Sequence, residues 1–270
     1  MAIGGSAAFT RVIEMDASLS DEELEGEIAL QAARHLPYPS DAAAIDFEVL
    51  HLSERDPTQV EVLLAACRRD DADLLETAVS IGGLKARVLE VEGFALARAC
   101  ERLQPGFGGA PDTAIFDIGA NSTTLSVVAG DKLVHAREEA FGGRLLTDEI
   151  ERHSGMLAAE AEFATSRAES MDEGILSNFR NALLEQMTRS LQFFYSANPS
   201  ANVEQVLLTG GVAAMPAFAD HASRMLGIPV AVADPFADVL LPDSMDASEL
   251  TSDAPAFMLA CGLALRGLEH

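Results

Sequence analysis

The stretch Phe116-Asp117-Ile118-Gly119-Ala120-Asn121-Ser122-Thr123-Thr124 decides how this chain is read. It predicts a strand over Thr113 to Ile118 that delivers an aspartate to a glycine turn, after which Thr123 to Val128 resumes as a second strand. Glycine removes the side chain that would block a phosphate, successive turn N–H groups can point at anionic oxygens, and small hydroxyls add donors. Asp117, at the strand end, is a candidate to hold a hydrated Mg2+ or to orient an attacking water, because that hard ion prefers carboxylate and water ligands. By itself, an Asp-x-Gly between two β runs reads more simply as an ordinary hairpin turn.

A second feature shifts that balance. Val206-Leu207-Leu208-Thr209-Gly210-Gly211-Val212 reads as a buried strand ending in a diglycine, followed by a helix over Ala214 to Leu226 that Met215-Pro216 would start. Glycines at the carboxyl end of a strand, ahead of a helix N-terminus, allow close approach of a nucleotide. The order of these motifs along the chain is informative. An Asp-x-Gly-x-x-Ser/Thr hairpin, then Gly142-Gly143 followed by helices, then strand-Gly-Gly-helix, resembles the layout of the actin, Hsp70 and sugar kinase superfamily.

Working outward, the first ninety residues predict a small α+β module: an extended run over Ala7 to Met15, a helix over Leu19 to Leu36, strands over Ile45 to Leu52 and Gln59 to Ala66, a helix over Asp70 to Ile81 and a strand over Lys85 to Val91. In the first helix Leu24, Ile28, Ala32 and Leu36 recur every four residues, acids crowd the N-terminal end, and Ser18 or Ser20 is placed to cap it. Pro37-Tyr38-Pro39 stops it. A helix over Gly93 to Leu103 precedes the densest Gly/Pro stretch, Gln104 to Pro111, which marks a lobe boundary. Beyond the two strands around Asp117, Gly130-Asp131 offers a turn into a third, Leu133 to Glu138. Ile175, Phe179, Leu183, Met187, Leu191 and Phe194 then form the apolar stripe of a long core helix. Strands over Val203 to Leu208 and Ile228 to Ala233 and a last helix over Pro255 to Leu265 complete the pattern.

Composition excludes several functions. With 43 acidic against 18 basic residues the formal charge is −25, which opposes both a nucleic acid backbone and an anionic lipid surface. Cys67, Cys100 and Cys261 are too few and too scattered for a disulfide framework, and neither they nor the histidines show metal-site spacing. No apolar run reaches the roughly 20 residues that cross a bilayer. A cytoplasmic location is expected, with membrane association only through partners.

Within the superfamily the chain resembles the type IV pilus assembly PilM family, from Gly5 to Leu265. The residues that carry the resemblance are Gly5-Ser6-Ala7 with Arg11-Val12-Ile13, the helix ending in His35-Leu36-Pro37-Tyr38-Pro39, Ile45-Asp46-Phe47, Val62-Leu63-Leu64-Ala65-Ala66-Cys67-Arg68-Arg69, Val88-Leu89-Glu90-Val91-Glu92, the Asp117 turn, Phe141-Gly142-Gly143-Arg144-Leu145-Leu146-Thr147 and Gly210-Gly211. The stretches before Val88 separate it from the cell-division protein FtsA, whose layout is similar.

The resemblance implies an actin-like, ribonuclease H-like two-lobed α/β fold with an inserted α+β subdomain. It places a 1C-like subdomain at 1–87, a remnant of subdomain 1A with a linker at 88–110, subdomain 2A at 111–142 and 203–253, a helical subdomain 2B at 143–202, and a C-terminal helix with a tag-like ending at 254–270. It also implies ATP with Mg2+ as cofactor, with Asp117, Gly119, Asn121, Ser122 and Thr123 as the second phosphate loop, Gly142 and Gly143 beside the nucleotide cleft, and Gly210, Gly211 and Val212 facing the adenosine. Asp117 would be the catalytic residue and would reach Mg2+ through water. The expected partner is the N-terminal cytoplasmic peptide of the inner-membrane protein PilN, with other pilus platform proteins and a second copy of the chain as further partners. The family's first phosphate loop, another Asp-x-Gly hairpin, has no counterpart here, so an N-terminally truncated fold and at most weak ATPase activity are expected. A sugar-kinase-like phosphotransferase is the enzymatic alternative. It would need a catalytic base beside an acceptor pocket, and no motif supplies one.

Overall fold

The structure, a computed structural model, describes residues 1–53, 55–103, 112–130, 132–155, 172–240, 250 and 253–268. The expected boundary at Gln104 to Pro111, Asp131, the 156–171 part of the helical region and the 241–249 part of the Asp/Pro loop lie outside them. The chain falls into two compact units, Met1–Val91 and Glu92–His270.

The first unit contains β1 (Ala2–Ile3), β2 (Ala8–Asp16), α1 (Asp21–His35), β3 (Ala43–Leu52), β4 (Gln59–Arg68), α2 (Arg69–Ile81) and β5 (Glu90–Val91). β2, β4 and β3 form an antiparallel sheet in that order, and β1 pairs in parallel with β5. α1 starts where the sequence provides a capping box: the Ser20 side chain accepts from Glu23 N–H while the Glu23 carboxylate accepts from Ser20 N–H. Its Leu24, Ile28 and Ala32 bury against Met15, Val62 and Leu64 of the sheet. The strand expected over Lys85 to Val91 is only two residues long, because β1 offers an edge of two residues and a strand extends no further than its pairing.

The second unit contains α3 (Glu92–Leu103), β6 (Thr113–Ile118), β7 (Thr123–Ala129), β8 (Lys132–Glu139), α4 (Arg144–Ser154), α5 (Glu173–Ala197), β9 (Gln205–Thr209), α6 (Phe218–Leu226), β10 (Val230–Val232) and α7 (Met258–Arg266). The sheet order is β10-β9-β6-β7-β8. β10, β9 and β6 are parallel, and β7 and β8 complete an antiparallel meander. Alternation along the strands supplies two cores. Ala114, Phe116, Ile118, Leu125, Val127, Val206 and Leu208 face α4, α5 and α6, while Ile115, Val128 and Leu207 face α3 and α7. The apolar stripe of α5 is buried at Phe179, Leu183, Met187, Leu191 and Phe194, as its spacing predicts.

The helix expected from Ala214 begins at Phe218 instead. Residues 211–217 form successive turns, closed by Ala213 N–H to Gly210 O and Phe218 N–H to Met215 O. Pro216 pushes Met215 away from helical geometry, and Ala217 sits at φ +59°. Met215-Pro216 therefore delays the helix rather than starting it.

Candidate functional site

Register places the polar residues of the site. Asp117 pairs with Thr209 on one side and Thr124 on the other, and Thr124 pairs with Glu138. Paired residues share a face, so Thr209, Asp117, Thr124 and Glu138 form one row across four strands, on the face that carries α3. The Thr209 hydroxyl donates to Asp117 Oδ1 at 2.9 Å. Burial pushes the Asp117 carboxyl above the ordinary carboxylate range, and the Thr209 hydrogen bond opposes part of that rise.

Glu92, the first residue of α3, joins this row electrostatically. Its carboxyl is also pushed up, first by burial and then by the negative charges of Asp117 and Glu138. The sequence names Glu92 only within the stretch that carries the family resemblance and gives it no role at the site. Its signal was an acid at a strand-to-helix junction, Glu90-Val91-Glu92, which acquires meaning only when the sheet register brings Asp117 near it.

The turns quoted from the sequence converge at the carboxyl ends of β6 and β9. Gly119 N–H donates to Ser122 O at 2.9 Å, closing the turn after Asp117. Gly143 N–H then donates to Gly119 O at 2.9 Å, and Arg144 N–H to Ala120 O at 2.7 Å. The start of α4 is thereby fastened to the Asp117 turn. A β-carbon at Gly142 would lie 2.5 Å from Ala120 O, and one at Gly143 would collide with Val212 Cγ2. Gly210, at φ +92°, is closed in as well: a β-carbon there would lie 2.5 Å from Ile118 O and 2.8 Å from Asp117 Oδ1. Gly142, Gly143 and Gly210 thus let three turns approach one another, and Val212 covers Gly143. Thr123 is buried, its hydroxyl donating to Phe141 O at 2.7 Å, which adds a side-chain tie between the Asp117 turn and the segment that leads into Gly142.

What remains open at this cluster has a definite chemistry. Among the described residues, the amides of Ala120, Asn121 and Ser122 make no hydrogen bond. A β-carbon at Gly211 would meet nothing within 4 Å. Unbonded amides in a tight turn form a concavity for anionic oxygens, and a carboxylate beside it suits the water shell of a hard cation. Phosphate with hydrated Mg2+ therefore fits these residues. No group of three or more His, Cys, Asp or Glu side chains among the described residues is arranged to grip a bare metal ion.

The raised carboxyls have a stability consequence. A carboxyl whose folded value is raised is ionised at a cost, so its unfavourable contribution is absent below the ordinary carboxylate value and grows as pH rises towards the folded value. Asp117→Asn is expected to raise the thermal midpoint at neutral pH and to flatten its decline between the ordinary and raised values; thermal melts across that window check the sign.

The sequence profile described as "Type IV pilus assembly protein PilM" matches residues 1–268. The chain belongs to that family. A solved structure described as a PilM–PilN type IV pilus biogenesis complex matches with a TM-score of 0.78 and 27% identity, over 100% of this chain and 79% of that one. The ethanolamine utilization protein EutJ of Carboxydothermus hydrogenoformans matches with a TM-score of 0.54 and 20% identity, over 90% of this chain and 72% of that one. MreB5 of Spiroplasma citri, solved bound to ADP, matches with a TM-score of 0.50 and 14% identity, over 74% and 66%. The fold of this PilM-family chain is actin-like α/β, as its motif order predicts. Among the described residues no helix is long and apolar enough to cross a membrane.

Proposed function

We propose that this PilM-family chain serves type IV pilus assembly as a nucleotide-binding scaffold that holds the N-terminal cytoplasmic peptide of PilN. The observation that carries the reading is the likeness over the whole chain, at 27% identity, to a chain of a PilM–PilN complex. On this reading the protein works in the cytoplasm and reaches the inner membrane through PilN. The α+β module, residues 1–87, would help form a groove that receives this peptide.

The nucleotide part rests on the open amides of the Asp117 turn. Those of Ala120, Asn121 and Ser122 would bind phosphate, Asp117 would orient the water shell of Mg2+, and Gly211 would leave room for the adenosine. When bound, ATP with Mg2+ supplies a phosphoanhydride whose charge the turn can bind and whose cleavage removes part of that charge. Gly142, Gly143 and Gly210 would act at one remove, by keeping the turns packed around that seat. Calorimetric titration with the PilN N-terminal peptide tests the partner assignment. Saturable one-to-one binding, absent with a scrambled peptide, is expected; equal heats from both peptides would remove PilN from the account.

A further inference from the structure

The helix α2 is apolar around twice the arc that its own unit uses. Ala72, Leu75 and Val79 are half-buried and recur at helical spacing on the side towards β3 and β4. Beside them Leu74, Ala78 and Ile81, spaced four and three, form a second stripe that is open, with Leu74 69% and Ile81 84% exposed. No residue of α2 is fully buried. Leu84, 71% exposed, adds apolar surface just past the helix end. A surface helix of a self-sufficient unit needs an apolar stripe of only about 100°. A second apolar stripe in water, parted from the first by Asp71 in the opening turn, marks an interaction surface.

Charge decides what fits it. The polar side of α2 carries Asp70, Asp73 and Glu76, and Asp73 and Glu76 line a shallow recess with Thr77, Ser80 and Ile81. Within the helix the single cation is Arg69, whose guanidinium is turned back to Ala43 O at 2.5 Å. Helices that lie on membranes carry Lys and Arg on the polar side, the reverse of this arrangement. A second copy of a chain with formal charge −25 would bring acids against acids. An apolar helix rimmed by Lys or Arg meets both features: its apolar face covers the stripe and its cations meet the acids. We infer that α2 is a docking helix, whose Leu74–Ala78–Ile81 stripe takes a Lys/Arg-rimmed apolar helix of a protein partner.

The test uses the whole chain and a defined probe, a fluorescent amphipathic helical peptide of Leu and Lys, with a Leu/Glu peptide of the same pattern as control. Anisotropy should show saturable, salt-weakened binding of the Leu/Lys peptide alone, and hydrogen exchange should show its protection centred on α2. Leu74→Ser with Ile81→Ser should weaken binding about tenfold or more, and Asp73→Asn with Glu76→Gln about threefold. Both double variants should melt with the parent, since the changed side chains are exposed. Unchanged affinity in the serine variant, protection centred elsewhere or equal binding of the Leu/Glu peptide would overturn the inference. So would a concentration-dependent dimer that the serine variant abolishes, which would assign the stripe to a second copy.

Discussion

Gly262→Ala is expected to destabilise the second unit by at least about 3 kcal/mol. Gly262 lies in α7, where a β-carbon would collide with the carbonyl oxygen of Ala95 in α3, and the Arg98 guanidinium donates to Gly262 O at 3.2 Å across the same crossing. The obstacle is backbone, so no rotamer change relieves it; the two helices must separate. Ala95, Leu96, Ala99 and Met258 are all buried at or beside this contact, and separation would loosen the core that holds α3 against the sheet. For a unit of this size the loss corresponds to a fall of about 6–12 °C in thermal midpoint. Scanning calorimetry checks it, and a shift under about 2 °C would show that the crossing is slack.

Gly210→Ala is the second large effect, and it concerns the site directly. An alanine at φ +92° is strained whatever its surroundings, and here its methyl would press on Ile118 O and Asp117 Oδ1. A cost of about 2–4 kcal/mol is expected. Displacement of the Asp117 carboxylate should lower ATP affinity in Mg2+ by at least about tenfold, equivalent to about 1.4 kcal/mol. Gly211→Ala, one residue on and in open space, is the control, with stability expected within about 0.5 kcal/mol of the parent. Comparable losses in both variants would mean that the diglycine, rather than the Gly210 approach to Asp117, matters.

The contrast between adjacent glycines shows where sequence reading stops. Gly210-Gly211 could be seen at a strand end, but which of the two is enclosed depends on β6 lying beside β9, a pairing between residues 92 positions apart. Local signals were legible where local physics decides: a serine, Ser18 or Ser20, to cap the first helix, the α5 stripe and the two strands flanking the Asp117 turn. Met215-Pro216 was misread because proline is compatible with both a helix start and the turn that delays one. The short β5 depends on the length of its partner β1, and Glu92 on a sheet register that no local pattern announces. Gly142 and Gly143 were read as bordering a ligand; the structure adds that the Asp117 turn and Val212 already occupy the space beside them.

The proposed seat for the phosphates of a nucleotide is the Asp117 turn, held in place by the packed glycines. Hydrogen exchange of the chain with and without ATP and Mg2+ tests it most directly, read at the amides of Ala120, Asn121 and Ser122. Slowed exchange of these amides in the presence of ATP and Mg2+, lost in Asp117→Ala, is the predicted result. Exchange at these amides that saturating ATP and Mg2+ leave unchanged would contradict it.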